Sequence, residues 1–477
     1  MGKLSSLAPK RVFELFEEIS SVPRGSGNME AIGQFCLDFA SENNLEAYKD
    51  EAGNVVVFKP ASIGYENADT VMLQGHMDIV CQKEADLDFD FEKQGLDLII
   101  DGDFVTANGT TLGADNGIAM AMAMAILEDT TLAHPAIEAV FTVDEEIGLV
   151  GASKIDCTNL KSKKMINIDS DESNRVIVSC AGGCDTVVEI PTKKETKNGT
   201  CVTLILKGLK GGHSGCEIDK ERVNANILAG RILNHLSLTN DFEIISINGG
   251  DKGNAITNRC EICLLANESV IPALNEYLEE IKTEISDREE NFGWEFNTSK
   301  GDFEVLTTPT TKEFIYILNQ VPNGIIAMST SIKGLVETSL NLGILETTQD
   351  LIKMQFMLRS NKRSPLVALA EKLENFFSNF DCKIETFGMY FPWEFKKNSA
   401  LQEVCKDVYK DVLGFEPEIT AIHAGLECGM FSDKMSDLDC IAIGPDIIGG
   451  HTTEERMKIS SVKDIYECVL EILKRCK

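Results

Sequence analysis

The chain has 477 residues, 43% hydrophobic and 25% charged, which is the balance of a globular protein too long for a single ordinary core. Its 76 acidic and 45 basic side chains leave a formal net charge of −31, which argues against nucleic acid or an anionic membrane as a partner. No apolar run reaches the roughly 18 residues of a membrane-spanning helix, and no secretory signal is evident at the start. The 15 cysteines are scattered without the spacing of a disulfide framework, which favours reduced thiols and a cytoplasmic location.

The first part of the chain alternates helix and strand signals. Apolar spacing predicts a helix over residues 30–41, with Asn28 as its N-cap. Short apolar runs predict strands, and an Ala- and Met-rich segment predicts a further helix: 70–74, 137–143 and 164–168 as strands, and 118–127 as the helix. Strands separated by helices favour a mostly parallel sheet with right-handed crossovers. We therefore predict an α/β fold with a mostly parallel central sheet.

The composition changes near Cys184, where a second set of signals begins. Its strand–helix–strand order suggests a ferredoxin-like layer. The predicted strands cover 203–206, 244–247, 260–266, 352–358 and 383–387, and the predicted helices cover 219–236, 269–287 and 365–377. From Phe391 onward the first pattern returns. We predict a catalytic domain in two parts, residues 1–185 and 385–477, interrupted by an inserted α/β lid domain over residues 186–384.

Five short motifs rich in histidine and acid lie in the two catalytic segments. They are His76-Met77-Asp78, Asp115 between Gly113 and Gly117, the acidic run Asp144-Glu145-Glu146, Asp169 and a late His451. Most of them follow predicted strands, and open α/β sheets bind their ligands at the carboxyl ends of strands. Together they supply the nitrogen and oxygen ligands of a site with two zinc ions about 3.5–4 Å apart. The set therefore predicts a two-metal hydrolase site.

Each motif taken singly also has an explanation that needs no metal. His76 could be a buried histidine beside a turn aspartate, and Asp115 could cap the helix that follows it. The acidic run 144–146 could lie in an exposed loop, and Asp169 in a surface turn. The complete set favours a metal site, because adjacent carboxylates cost several kcal/mol to desolvate without a cation.

Two acids beside the candidate ligands are predicted to have other roles. Asp78 lies two residues after His76 at an extended strand end, so its carboxylate could accept the second ring N–H of the imidazole and fix its tautomer. Three ligand carboxylates and a bridging hydroxide bring two Zn²⁺ ions close to neutrality. Glu145, adjacent to the ligand Glu146, is then left without a metal and is predicted to be the general base.

On these motifs the chain resembles the aminoacyl-histidine dipeptidases, which are cytosolic, carnosinase-like Xaa-His dipeptidases. They belong to the co-catalytic zinc peptidases that include carboxypeptidase G and acetylornithine deacetylase. The resemblance covers essentially the whole chain and rests on LQGHMDIVCQ, TLGADNGIAMAM, FTVDEEIGLVGA, GLKGGHSGCEID, GGDKGNAI and HAGLECG. The late segment GPDIIGGHTTEER is close to the family pattern but lacks its usual proline.

The resemblance implies a ligand set for two divalent metal ions, zinc in the first place, with cobalt or manganese as substitutes. One ion would be held by His76, Asp115 and Asp169. The other would be held by Asp115, Glu146 and His451, so that Asp115 bridges the pair. A cis peptide bond is also implied after the bridging aspartate.

The resemblance further implies a set of substrate-binding residues. His213 of the lid would bind the substrate carbonyl, in some relatives from a partner subunit. Asn254 and Arg359 would bind the substrate, and the guanidinium fork of Arg359 suits a C-terminal carboxylate. His423 and Glu427 are further candidates, for substrate contact and for the free amine.

We therefore expect a cytoplasmic metallopeptidase that hydrolyses dipeptides of Xaa-His type, including β-alanyl-histidine, with a metal-bound water activated by Glu145. The expected partner is a small peptide, with no nucleic acid or membrane, and the resemblance implies a homodimer formed through the lid domain. Three alternatives stay open: an amidohydrolase or deacylase of N-acyl amino acids, a non-catalytic metal-dependent binding protein, and a two-metal phosphatase. Intact Glu145 argues against the binding protein, and the lack of a phosphate-cradling loop argues against the phosphatase.

Overall fold

The computed structural model describes residues 2–477, which divide into two compact units. Unit 1 contains the described residues up to 179 together with 395–421 and 426–477, and unit 2 contains 180–394 and 422–425. The domain boundaries predicted at 185 and 384 fall inside two strands, Gly182–Pro191 and Lys383–Tyr390. These two strands pair with each other in the sheet of unit 2.

Residues 2–477 contain the following helices and strands. The helices are α1 (Lys10–Ser20), α2 (Glu30–Glu42), α3 (Ala114–Glu128), α4 (Val150–Lys154), α5 (Ala225–Ser237), α6 (Val270–Ile285), α7 (Thr308–Gln320), α8 (Arg363–Phe377), α9 (Ala400–Val412), α10 (Glu427–Lys434) and α11 (Ile459–Arg475). The strands are β1 (Glu46–Lys49), β2 (Val55–Lys59), β3 (Val71–His76), β4 (Leu98–Asp101), β5 (Phe104–Ala107), β6 (Ile137–Thr142), β7 (Lys164–Asn167), β8 (Arg175–Cys180), β9 (Gly182–Pro191), β10 (Lys194–Lys207), β11 (Gly212–His213), β12 (Phe242–Gly249), β13 (Ala255–Ile256), β14 (Cys260–Ala266), β15 (Gly293–Leu306), β16 (Gly324–Met328), β17 (Val336–Thr347), β18 (Leu351–Ser360), β19 (Lys383–Tyr390), β20 (Glu418–Ile422), β21 (Asp439–Ala442), β22 (Ile447–Ile448) and β23 (Arg456–Lys458).

The main sheet of unit 1 has eight strands in the order β1-β2-β6-β3-β7-β21-β8-β20. Its centre, β6-β3-β7-β21, is parallel, whereas the pairs β1-β2, β2-β6 and β21-β8 are antiparallel. Strands β3 and β6 are buried along their whole length, as expected for a parallel sheet covered on both faces. The predicted α/β fold with a parallel central sheet is confirmed.

Helix α3 packs against β3 and α1 and is buried around almost its whole circumference. Burial on all sides explains why the sequence of this helix is rich in Ala and Met rather than amphipathic. The helix starts four residues earlier than predicted, at Ala114, and Asp115 and Asn116 within its first turn have non-helical dihedral angles. The candidate bridging aspartate thus lies on a distorted helix start.

A small antiparallel sheet of four strands, in the order β22-β23-β5-β4, also belongs to unit 1. It joins the hairpin of β4 and β5, residues 98–107, to a segment near the carboxyl terminus. The loop between β22 and β23 carries His451, whose φ of 64° lies in the left-handed region. This sheet brings the late histidine to the amino-terminal part of the chain.

Unit 2 is built on a nine-stranded sheet in which β15-β10-β14-β12-β17-β18-β9-β19 lie in order and β16 pairs with β17. Its described strand pairs are antiparallel. Strand β10 is longer than predicted, since it begins at Lys194 rather than at 203. Its partner β15 is not predicted at all. The first half of β10 is polar and contains only exposed or half-buried residues, so no apolar run marks it in the sequence.

The predicted start of one helix and the predicted N-cap of another are wrong. The helix predicted from residue 219 begins at Ala225, because Asn224 caps it by accepting the backbone N–H groups of Asn226 and Ile227 at 2.9 and 3.3 Å. Helix α2 has Met29 at its N-cap position, not Asn28, whose backbone N–H instead bonds the carbonyl of Gly25. Among residues 2–477, no helix combines the length and the apolar character required to cross a membrane.

Candidate metal centre and substrate-binding groups

The parallel centre of the unit 1 sheet brings four of the five motifs to one edge. His76 is the last residue of β3, the acidic run follows β6, and Asp169 follows β7, which are neighbouring strands. Asp115 lies at the start of α3, which packs on β3. The carboxyl ends of parallel strands meet at the same edge, so residues far apart in sequence become neighbours.

Asp115 lies between two imidazoles. Its Oδ1 is 3.0 Å from Nε2 of His76, and its Oδ2 is 3.2 Å from Nε2 of His451. Each histidine has one further carboxylate neighbour: Asp169 Oδ1 is 3.7 Å from His76 Nε2, and Glu146 Oε1 is 3.0 Å from His451 Nε2. We call His76, Asp115 and Asp169 the first half-site and Asp115, Glu146 and His451 the second half-site.

The burial and mutual repulsion of the carboxylates in the two half-sites favour a bound cation. Oε1 of Glu146 is buried and, among the described residues, makes no hydrogen bond despite its ion-pair distance to His451. Burial raises the pKa of Asp169 to about 8, and nearby carboxylates, Asp115 first, add to this rise, although His76 opposes it. Clustered carboxylates with imidazole nitrogens form a donor set for zinc, manganese or cobalt, and a cation would relieve their repulsion.

Asp78 is buried and organises the acidic turn. Its carboxylate accepts the backbone N–H of Glu145 at 2.9 Å, the backbone N–H of Glu146 at 3.2 Å and the hydroxyl of Ser26 at 2.8 Å. Nδ1 of His76 lies closer to the backbone carbonyl of Asp78, at 3.1 Å, than to its carboxylate, at 3.4 Å. Nδ1 therefore donates to the Asp78 residue, which leaves Nε2 of the imidazole to face the half-site.

Glu145 stands at the centre of this turn with its backbone fixed and its carboxylate unassigned to either half-site. The preceding residue, Asp144, has a left-handed φ of 52° and accepts the backbone N–H of Gly27 at 2.6 Å. Burial raises the pKa of Glu145 well above its ordinary value, opposed by His76 and reinforced by neighbouring carboxylates. A carboxylate with raised proton affinity beside candidate metal ligands is suited to general-base chemistry.

Asn116 contributes a connection that the sequence did not reveal. Its Oδ1 accepts the backbone N–H of His76 at 3.2 Å, and its Nδ2 donates to Oδ1 of Asp169 at 3.0 Å and to the carbonyl of Ile168 at 2.6 Å. The peptide bond between Asp115 and Asn116 is cis, as the resemblance implied. The side chain of Asn116 thus connects the start of α3 to the ends of β3 and β7, the three segments that carry the first half-site.

Two charged residues that sequence reasoning missed, Arg24 and Glu455, are buried against the segment that carries Asp115. A further carboxylate, Glu427, is wholly buried at the start of α10 and accepts hydrogen bonds from Gln74 and, at 2.6 Å, from the hydroxyl of Thr142. Burial raises the pKa of Glu427 to about 7, and its Oε1 has no hydrogen-bond partner among the described residues. Glu427 is a candidate from the sequence, whereas Arg24 and Glu455 stand in ordinary sequence surroundings that carry no signal of such burial.

The substrate-binding candidates of unit 2 cluster around His213. Nδ1 of His213 accepts the backbone N–H groups of Gly215 and Cys216 at 3.2 and 3.0 Å, so the ring hydrogen lies on Nε2. Nη2 of Arg359 is 3.5 Å from that Nε2, and its Nη1 is 3.3 Å from the hydroxyl of Tyr390. Burial, followed by the charge of Arg359, lowers the pKa of His213 to about 4, which keeps the ring neutral.

Asn254 contacts the chain next to His213 through its backbone, whereas His423 forms hydrogen bonds with other residues of unit 2. The backbone carbonyl of Asn254 accepts the N–H of Ser214, next to His213, at 2.9 Å, and its side chain is exposed. Nδ1 of His423 bonds Oδ1 of Asn361 at 2.9 Å, and its Nε2 bonds the hydroxyl of Ser339 at 2.7 Å. Both ring nitrogens of His423 are therefore engaged within unit 2.

Comparisons with known proteins give a consistent set of relatives. The model of peptidase family M20/M25/M40 matches residues 72–475. The cytosol non-specific dipeptidase of Escherichia coli (strain K12) is 36% identical over 480 residues, which cover 99% of each chain. The crystal structure of aminoacylhistidine dipeptidase from Vibrio alginolyticus matches with a TM-score of 0.91 and 34% identity, over 99% of this chain and 98% of that one.

A more distant structure shows the fold alone. An M20 family metallo-carboxypeptidase from Sulfolobus solfataricus matches with a TM-score of 0.55 at 15% identity, over 98% of each chain. At this identity the shared arrangement of helices and sheets says nothing about the substrate.

Proposed function

Because this chain belongs to peptidase family M20/M25/M40, we propose that it hydrolyses the peptide bond of dipeptides at a centre of two divalent metal ions, with Xaa-His dipeptides such as β-alanyl-histidine among its substrates. The enzyme is a dipeptidase, as its full-length relatives are. The single observation that carries the two-metal proposal is the position of Asp115, each of whose oxygens faces a different imidazole at 3.0 and 3.2 Å. A bridging carboxylate between two half-sites needs this arrangement.

In this proposal the first half-site holds one ion and the second half-site holds the other, with zinc, or cobalt or manganese in its place. When bound, the ions polarise the scissile carbonyl and lower the pKa of a water molecule. Hydrogen bonds within the chain orient the proposed ligands. Asp78 fixes the ring of His76 and the turn of Glu146, and Asn116 fixes Asp169, so the nitrogen and oxygen donors are oriented before any ion arrives.

Glu145 is the proposed general base. Its carboxylate takes a proton from the attacking water and later delivers it to the nitrogen of the leaving amino acid. The raised pKa of Glu145 supports this role, because a carboxylate with raised proton affinity is better able to take the proton from water and hold it until it is passed on. Asp78 supports the same role by holding the backbone N–H of Glu145, which fixes the turn from which the carboxylate extends.

His213 and Arg359 are the proposed donors to the substrate. Nε2–H of His213 donates to the carbonyl oxygen that becomes the oxyanion, and the guanidinium of Arg359 binds the C-terminal carboxylate, with Asn254 as a further substrate contact. Glu427 is the candidate acceptor for the free amine, since its Oε1 has no partner among the described residues. For His423 we propose a supporting role near this cluster, since its two ring nitrogens already bond Ser339 and Asn361.

The breadth of substrates, the location and the assembly are proposals of the same kind. One full-length relative is named a non-specific dipeptidase and the other an aminoacylhistidine dipeptidase, so the preference of this chain for Xaa-His dipeptides is to be measured directly. We propose a cytoplasmic location, supported by the name of the Escherichia coli relative. A homodimer formed through unit 2 stays a prediction from the resemblance.

The test is hydrolysis of a panel of dipeptides by protein stripped with a chelator and reloaded with zinc, cobalt or manganese. We expect stripped protein to be inactive, reloaded protein to contain two ions per chain, and His76→Ala and His451→Ala to lose metal. His235→Ala, an exposed histidine of unit 2, is the matched control and should keep both ions. Full activity in metal-free protein would refute the metal centre, and hydrolysis of N-acetyl amino acids without dipeptides would replace the dipeptidase with a deacylase.

A further inference from the structure

The carboxylate of Glu455 is bound entirely by backbone. Its Oε2 accepts the N–H groups of Leu112 and Gly113 at 2.9 and 3.1 Å, and its Oε1 accepts those of Ala114 and Asp115 at 2.9 and 3.5 Å. Only 2% of Glu455 is exposed. Four consecutive amides, ending with that of the candidate bridging ligand, therefore converge on one buried carboxylate.

Arg24 binds the same segment through its carbonyls. Its Nη2 donates to the carbonyl of Gly113 at 2.6 Å, and its Nη1 donates to that of Met77, next to His76, at 3.0 Å. A Cβ at Gly113, whose φ is 65°, would lie 2.8 Å from Nη2 of Arg24. Glu455 thus binds the amides of the segment 112–115, and Arg24 binds the carbonyl of Gly113. The close approach of Arg24 leaves no room for a side chain at Gly113.

Glu455 belongs to the same short turn as His451. This turn connects β22 to β23, and the backbone N–H of Glu455 bonds the carbonyl of Thr452 at 3.2 Å. The hydroxyl of Thr106 on β5 donates to the carbonyl of Glu455 at 2.9 Å, which anchors the turn to the small sheet. The side chain of Glu455 therefore ties the turn that presents His451 to the segment that presents Asp115.

We propose that Glu455 is a positioning residue that sets the metal affinity of the second half-site by holding the His451 turn against the Asp115 segment. The proposal rests on the two-metal function above. Asp115 and His451 lie 336 positions apart in the chain. The carboxylate of Glu455, in the turn of His451, connects the two by accepting backbone N–H groups of the Asp115 segment. A group that fixes ligand geometry from behind typically changes metal affinity 10–100-fold when altered.

The test compares Glu455→Gln with Glu138→Gln. Glu138 is a matched control, because it is also buried in unit 1 and also accepts backbone amides, those of Lys161 and Ser162, but it lies near the start of β6, away from the half-sites. Metal affinity is measured by titrating zinc against a competing chelator, and thermal unfolding is measured on metal-free protein. We expect Glu455→Gln to weaken binding of one of two ions by roughly 10–100-fold, while Glu138→Gln keeps both wild-type affinities.

The ion that is lost is identified with His451→Ala. Because both changes affect the second half-site, the double variant Glu455→Gln with His451→Ala should bind its remaining ion about as tightly as His451→Ala alone. Glu455→Asp, which keeps the charge but shortens the side chain, serves if Glu455→Gln does not fold, and it too should weaken one ion. Unchanged affinity for both ions in a folded Glu455 variant would overturn the proposal. Wild-type protein that binds fewer than two ions would refute the proposed function first.

Discussion

Nε2 of His213 and Nη2 of Arg359 lie 3.5 Å apart, and both are hydrogen-bond donors. The tautomer follows from the two backbone amides that donate to Nδ1 of His213, which leave the ring hydrogen on Nε2. Nε of Arg359 is buried and has no partner among the described residues. Two donors that face each other need acceptors from outside the cluster, and a peptide substrate offers a carbonyl oxygen and a carboxylate.

Arg359→Ala should lower kcat/KM for free dipeptides by between several-fold and a thousandfold, because the change removes the buried guanidinium that we propose binds both carboxylate oxygens. The matched substrate is the same dipeptide amidated at its carboxyl end, which should be poor for the wild type and little changed by the substitution. Steady-state kinetics on both substrates provide the measurement. Equal cleavage of the free and amidated dipeptides by wild-type enzyme would show that no carboxylate is bound.

His213→Ala should lower kcat by ~10²–10³ and leave KM and metal content near wild type, because a donor to a developing oxyanion acts mainly in the transition state. If the histidine serves a partner subunit, mixing His213→Ala with Glu145→Gln should restore partial activity through hybrid sites. No rescue after verified subunit exchange would place the action within its own chain. An unchanged kcat would remove His213 from the mechanism.

Glu145→Gln should lower kcat by ~10²–10⁴ at unchanged metal content, because the amide keeps the shape of the side chain but accepts no proton. Asp144→Asn is the matched control in the same turn, since an asparagine oxygen can still accept the backbone N–H of Gly27 that Asp144 accepts at 2.6 Å. The control should turn over close to wild type. Normal turnover by Glu145→Gln would assign the base to another residue.

The stability of the protein should fall in acid partly through His423. Burial, followed by the charge of Arg359, lowers the pKa of His423 from 6.5 to about 3. Between these two values the unfolded chain binds the proton and the folded chain does not, so the free energy of unfolding decreases as pH falls through this window, by up to about 1.4 kcal/mol per pH unit. In His423→Gln, denaturant unfolding at successive pH values should show a shallower decrease. A variant with the wild-type slope would contradict this.

Much of the candidate metal centre could be predicted from the sequence, because the proposed ligands follow a rule of topology. Asp169 and the acidic run directly follow apolar strands, and His76 ends one, so a parallel sheet alone brings them to one edge. Short buried strands such as β3 and β6 carry a mostly apolar signal. Exposed strands do not, which is why the polar half of β10 and its partner β15 escaped prediction.

The sequence by itself determined which residue types gather at the strand ends, whereas only the tertiary structure decided how they are held. Hydrogen bonds between distant residues leave no periodic trace in a sequence. The small sheet carries His451 to Asp115 across 336 positions, Asp78 bonds the amides of the acidic turn more closely than the ring of His76, and Glu455 binds four backbone amides. A buried charge is recognised only through the partners that burial gives it, and those partners come from parts of the chain that folding brings together.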